Sequence, residues 1–143
     1  MKLYNSVGPN PHIVRMYAAE LGCDLELVEI DLRGGENRQA DYLARNPAGQ
    51  LPALELVSGE IIAEVTAICE YLDEHASISL IGDNATERAQ TRMWTRRVDL
   101  AICEPLLNGF RYSEGLPLFQ DRMITVPEAA PGLKRVAQDR LAW

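Results

Sequence analysis

The 143 residues lack several things at once: a run of about twenty apolar residues, a C-x-x-C pair, and any abundance of histidine or phenylalanine, each present twice. Without the apolar run no membrane-spanning helix is predicted, and Met1-Lys2-Leu3-Tyr4-Asn5-Ser6 has no signal-peptide core, which places the chain in the cytoplasm. The three cysteines, Cys23, Cys69 and Cys103, are odd in number and far apart. They suggest neither a disulfide framework nor a zinc cluster, and each is expected to be a small buried hydrophobe. The missing C-x-x-C argues against a dithiol oxidoreductase. No phosphate loop, metal constellation or serine-hydrolase elbow is found. His12 and His75 have no carboxylate or cysteine at relay spacing and read as solvated helix-end residues.

The composition that remains, 47% hydrophobic and 24% charged, is that of an ordinary globular protein. Its charge is uneven. Residues 1–80 carry five Lys and Arg against thirteen Asp and Glu, while residues 81–143 carry nine against eight. A first half with that surplus of carboxylates is a poor partner for nucleic acid or an anionic membrane.

Taken in order, Lys2-Leu3-Tyr4-Asn5 is a short strand and Ser6 to Pro11 a turn-rich loop. Asn10 is predicted as N-cap of the next helix, with Pro11 in its first turn. Ile13, Tyr17 and Leu21 share one face of that helix, and Gly22 ends it. Leu25 to Ile30 alternates as a half-buried strand, which a crossover through a helix delivers parallel to the first. A short polar helix is expected over about 37–45. Two strands flank the Ser58-Gly59 turn as an antiparallel hairpin, and a helix follows from Glu64-Val65-Thr66. The order is βαβ, a connecting helix, then ββα.

Residues 77–84 read as a linker. From Ala85 to about Arg111 a long amphipathic helix is predicted, with Ala89, Met93, Trp94, Val98, Ala101, Ile102 and Leu106 inward and a kink at Pro105. Residues 113–131 are broken by proline and glycine, and a last helix begins near Pro131. No cap, glycine or polar tail follows Ala142-Trp143.

The most informative stretch is Asn46-Pro47-Ala48-Gly49-Gln50-Leu51-Pro52 with Glu64-Val65-Thr66-Ala67-Ile68 behind it. Pro52 at the mouth of a strand belongs to an edge or a tight turn. A cis Leu51-Pro52 bond would turn the backbone N–H and C=O of Leu51 toward solvent as a docking edge for a short peptide. The helix start at Glu64 places free N–H groups and a dipole's positive end close by, suited to a carboxylate.

These two motifs resemble the glutathione-binding half of the soluble, bacterial-like glutathione S-transferases, with N-P-x-G-[QK]-[VL]-P complete and E-[ST]-x-A-I carrying Val65 in place of Ser or Thr. The resemblance implies an α/β fold: a thioredoxin-like domain over 1–76, a linker over 77–84, and an incomplete all-helical domain over 85–143. It implies glutathione as co-substrate with no metal, and a thiol activated for conjugation to small electrophiles in detoxification. The thiolate is the nucleophile, so its pKa must be lowered. The implied glutathione-binding residues are Gln50, Leu51, Pro52, Glu64 and Val65, with Asp99 reaching across a homodimer. Val65 removes a hydroxyl donor but keeps its backbone N–H. The sulfur's donor lies in the loop before the first helix, where Asn10 and Ser6 are the candidates and Tyr4 is expected to pack in its strand. Arg88, Arg92, Arg96 and Arg97 are expected to face an acidic partner domain. Two other readings remain open: a non-catalytic binding or scaffolding module of the same fold, and a glutathione-dependent isomerase or dehalogenase.

Overall fold

A computed structural model describes residues 1–142; Trp143, and with it the core expected beneath that side chain, lies outside the described residues. The chain divides into two compact units, Met1–Ile81 and Gly82–Trp143.

The first unit is built on a four-stranded sheet in the order β2-β1-β3-β4. β1 (Lys2–Asn5) pairs parallel with β2 (Glu26–Glu29) and antiparallel with β3 (Ala53–Glu55), which pairs antiparallel with β4 (Ile61–Ala63). Helix α1 (Pro9–Glu20) supplies the crossover that parallel pairing requires. Between β2 and β3 run a 3-10 turn, Glu36–Arg38, and the one-turn helix α2 (Ala40–Leu43); α3 (Val65–Glu74) closes the unit.

Successive side chains on a strand face opposite ways, and the sheet exploits this. Leu3 and Leu54, paired in register, point to the face shared by α1 and α3 and are fully buried with Val14, Ile68 and Leu72. Their neighbours Tyr4 and Ala53 point to the other face, where Tyr42 of α2 and Ile30 cover them. The Tyr42 ring meets that of Tyr4 edge-on, at 5.9 Å between centroids.

Asp73 ties the end of this unit to its core. Its buried carboxylate accepts from the Tyr17 hydroxyl, the Ser79 hydroxyl and the Leu80 N–H, each at 2.7 Å. Burial alone would raise this carboxyl; the bonds from Ser79, Tyr17, Leu80 and Ile81 outweigh it and leave it below the ordinary aspartate value. Of the three cysteines only Cys69 is buried, which pushes its thiol up to about 11; Cys23 and Cys103 are half-buried, a correction to the expectation of three core residues.

The second unit is helical. Helix α4 (Ala85–Val98) is capped by Asn84, whose Oδ1 accepts from the N–H groups of Thr86 and Glu87 at 3.0 and 3.1 Å. It passes into a π-helical turn, Asp99–Cys103, and then into α5 (Glu104–Arg111). The extra residue in that turn lies just ahead of Pro105, which has no N–H to give to the helical ladder, so the predicted break takes the form of a wider winding. Short α6 (Leu116–Phe119) and α7 (Ala130–Arg140) follow. α5 approaches α7 at Gly109, where an added Cβ would lie 2.7 Å from Lys134 Cγ, and Lys134 Nζ reaches Glu114 at 2.6 Å. The inward face expected of the long helix is corrected: no residue of α4 is buried, and Met93, Trp94, Val98 and Leu106 are each about two-fifths to one-half exposed.

Candidate functional site

The cleft of interest lies within the first unit and is lined by Asn10, Asn46, Gln50, Leu51, Pro52, Glu64 and Val65. Three pieces of local structure bring these residues together. They are the start of α1, the loop entering β3, and the junction of β4 with α3.

The start of α1 differs from expectation. The helix begins at Pro9, two residues early, and its N-cap is Gly8 at φ 131°, a backbone conformation that an L side chain rarely adopts. Asn10 is therefore the second helical residue and not the cap. Its side-chain amide makes no hydrogen bond among the described residues and remains available to the cleft. Ser6 has the opposite fate. It is buried, and its hydroxyl donates to the Ile30 carbonyl at 2.8 Å, so its only proton is committed beneath the loop. Tyr4 is also buried, donating to Glu55 Oε2 at 2.5 Å; burial and that bond hold its phenol above the ordinary value. Of the three hydroxyl or amide candidates, the cleft receives Asn10 alone.

The loop entering β3 is held by its own side chains. Asn46 Oδ1 accepts from the Ala48 N–H at 3.2 Å and Asn46 Nδ2 donates to the Gln50 carbonyl at 2.9 Å. Gly49 turns the chain at φ 63°, and a Cβ there would stand 3.2 Å from the Asn37 carbonyl oxygen. The Leu51–Pro52 peptide bond is cis. Leu51 makes no backbone hydrogen bond among the described residues, because ladder pairing begins only at Ala53. The motif alone assigns no role to Asn46 and does not point to Tyr42, whose hydroxyl donates to the same Gln50 carbonyl at 2.6 Å. The signal was a buried aromatic four residues ahead of an Asx turn.

At the third junction Glu64 stands at φ 72° and ψ 130°, the one residue other than glycine with positive φ among the described residues. Its exposed carboxylate points from the N-cap of α3. No side chain caps the helix, which leaves the N–H groups of its first turn open to an anion. Val65 contributes one of those groups while its side chain packs against the core. The arrangement therefore offers an unpaired strand-like edge, a carboxylate and a helix N-terminus within one cleft. Asp99 belongs to the second unit, exposed in the π-helical turn. No group of three or more His, Cys, Asp and Glu that would hold a metal occurs among the described residues, and no described helix is long and apolar enough to cross a membrane.

Fold and site together define the class: a thioredoxin-like domain whose cis-proline loop faces a helix N-terminus, followed by a helical region. The family model for the glutathione S-transferase N-terminal domain matches residues 1–74. Glutathione S-transferase 2 of Saccharomyces cerevisiae is 34% identical over 79% of this chain and half of its own length. Maleylacetoacetate isomerase of Pseudomonas aeruginosa is 38% identical over 64% of this chain and 45% of its own. The crystal structure of a glutathione S-transferase domain-containing protein from Marinobacter aquaeolei VT8 superposes with a TM-score of 0.92 at 36% identity, covering 99% of this chain and 71% of that one. The chain belongs to the glutathione S-transferase family. It spans about half the length of these curated relatives.

Proposed function

We propose that the cleft binds glutathione and holds its sulfur as thiolate for transfer to small electrophiles. The observation that carries this reading is the convergence of Asn10, Leu51, Glu64 and Val65 on one cleft. Glutathione has an amine and a carboxylate at its γ-glutamyl end, a peptide backbone around its cysteine, and a second carboxylate at its glycine. The Glu64 carboxylate suits the amine, and the N–H groups opening α3 suit the adjacent carboxylate. The Leu51 backbone suits the cysteinyl unit by strand-like pairing, with Pro52 fixing the turn, and Gln50 reaches toward the glycyl carboxylate. Asn10 then donates to the sulfur. Lowering the pKa of a thiol by two units requires about 2.7 kcal/mol of preference for the charged form, the scale of one donor bond plus a helix N-terminus.

Titration calorimetry of glutathione into this chain and into Glu64→Ala tests the assignment. Binding in the first and a large loss in the second support it; equal affinity removes Glu64 from the site. The same cleft serves a glutathione-dependent isomerase, a second reading favoured by the likeness to maleylacetoacetate isomerase. A scaffolding module that binds without activating the thiol is distinguished from both by the thiol's titration. A homodimer, with Asp99 reaching the γ-glutamyl amine of a partner's site, domain limits at 76 and 85, and a cytoplasmic setting complete the proposal.

A further inference from the structure

The backbone edge of the cleft is held from behind by three buried side chains. Asn37 Nδ2 donates to the Gly49 carbonyl at 2.5 Å, Tyr42 Oη to the Gln50 carbonyl at 2.6 Å, and Asn46 Nδ2 to that same carbonyl at 2.9 Å. All three residues are at most 5% exposed. One ten-residue segment thus donates to the two successive carbonyls immediately before Leu51.

The geometry of the peptide group turns this into a statement about the cleft. In a planar trans peptide the C=O and the following N–H point in opposite directions. The carbonyl of Gln50 is drawn toward Tyr42 and Asn46, so the N–H of Leu51 is sent the other way. Satisfying a carbonyl takes one donor; a second uses its remaining lone pair and fixes the plane of the group. Asn37 points the same way. Its Nδ2 fixes the preceding carbonyl, that of Gly49, in the same manner. Tyr42 is steadied by the Tyr4 ring, and burial pushes its phenol up to about 12, so it remains a donor at any physiological pH.

We propose that Tyr42 and Asn46, backed by Asn37, are positioning residues that aim the Leu51 N–H at the cysteinyl carbonyl of a bound glutathione. This rests on the glutathione reading above and extends it to side chains that act on the ligand through the Gln50–Leu51 peptide.

Tyr42→Phe removes the hydroxyl and keeps the ring, and Asn46→Ser keeps an acceptor for the Ala48 N–H while falling short of Gln50. Each is titrated by calorimetry with glutathione and with an analogue whose cysteinyl–glycine amide carbonyl is replaced by methylene, alongside a thermal melt. Both variants are expected to weaken glutathione by about fivefold to tenfold, the scale of one aligned hydrogen bond. Their affinity for the analogue is expected to match that of the unaltered chain. Equal weakening toward both ligands means general loosening of the loop and overturns the proposal, as does unchanged glutathione affinity in both variants. If the unaltered chain binds neither ligand, the glutathione reading itself falls and takes this inference with it, an outcome distinct from failure in the variants alone.

Discussion

Replacing Glu64 separates the strain at the cleft from its chemistry. Glu64 holds φ 72° and ψ 130°, and a residue kept in so sparsely populated a region raises the energy of the folded state by about 1–3 kcal/mol. Its side chain is exposed. Alanine retains the Cβ and hence the strain, so Glu64→Ala is expected to change stability by less than about 0.5 kcal/mol. Glycine releases the strain but adds about 0.4–1 kcal/mol of unfolded-chain entropy, for a net stabilisation of about 1 kcal/mol. In a cooperative unit of this size that is a rise in Tm of about 4–8 °C. Both variants lose the carboxylate and are expected to lose glutathione affinity together. Thermal melts followed by circular dichroism, paired with calorimetry, read the two effects independently. If Glu64→Gly melts at or below Glu64→Ala, the backbone at this position is not strained and the reasoning fails. Parallel loss of affinity with a raised Tm would mean that the fold tolerates this strain for the sake of binding.

The remaining predictions concern the loop before α1 and the end of the first unit. Asn10→Ala is expected to raise the pKa of the bound glutathione thiol without altering the melt, read from thiolate absorbance against pH. Ser6→Ala should do the reverse, leaving the thiol unchanged while destabilising the chain by about 0.5–1.5 kcal/mol, because the Ile30 carbonyl keeps the Leu32 N–H but loses the Ser6 hydroxyl. Asp73→Asn is expected to destabilise by about 1–3 kcal/mol at neutral pH, since a neutral amide replaces a carboxylate that accepts from Tyr17, Ser79 and Leu80. The folded carboxyl of Asp73 titrates below its ordinary value of 3.8, so its contribution is present in full above that value and lost as pH falls through the folded one. Stability measured from pH 7 downward should therefore fall less steeply near its acid end in Asp73→Asn than in the unaltered chain.

Much of the first unit was legible because its strands alternate. Leu3 and Tyr4, or Ala53 and Leu54, announce opposite faces by their spacing, and the Ser58-Gly59 turn announces the hairpin. The start of α1 was not, because Asn10 between two prolines has the composition of a cap, whereas the structure puts the cap at Gly8, where the backbone takes a conformation suited to glycine. The direction of the Ser6 hydroxyl depends on a carbonyl twenty-four residues away on the strand side, which no local pattern reports. The face of α4 was misjudged for a related reason. Helical spacing shows which residues share a side, and Met93, Trp94 and Val98 do, but it does not show whether anything covers them. The widened turn at Asp99–Cys103 is a shift in backbone hydrogen bonding, and only Pro105 hinted at a break. Within the cleft, Gln50, Leu51, Pro52 and Glu64 were named from their motifs. The support beneath them, from Asn37, Tyr42 and Asn46, emerges only when the chain is folded.

The proposed chemistry requires that the cleft bind glutathione and stabilise its thiolate. The direct measurement is a pH titration of thiolate ultraviolet absorbance for glutathione saturated with this chain, against free glutathione as control. The bound thiol is expected to titrate well below the free one, and Asn10→Ala to move it back. Coincident curves for bound and free glutathione would contradict thiol activation at this site.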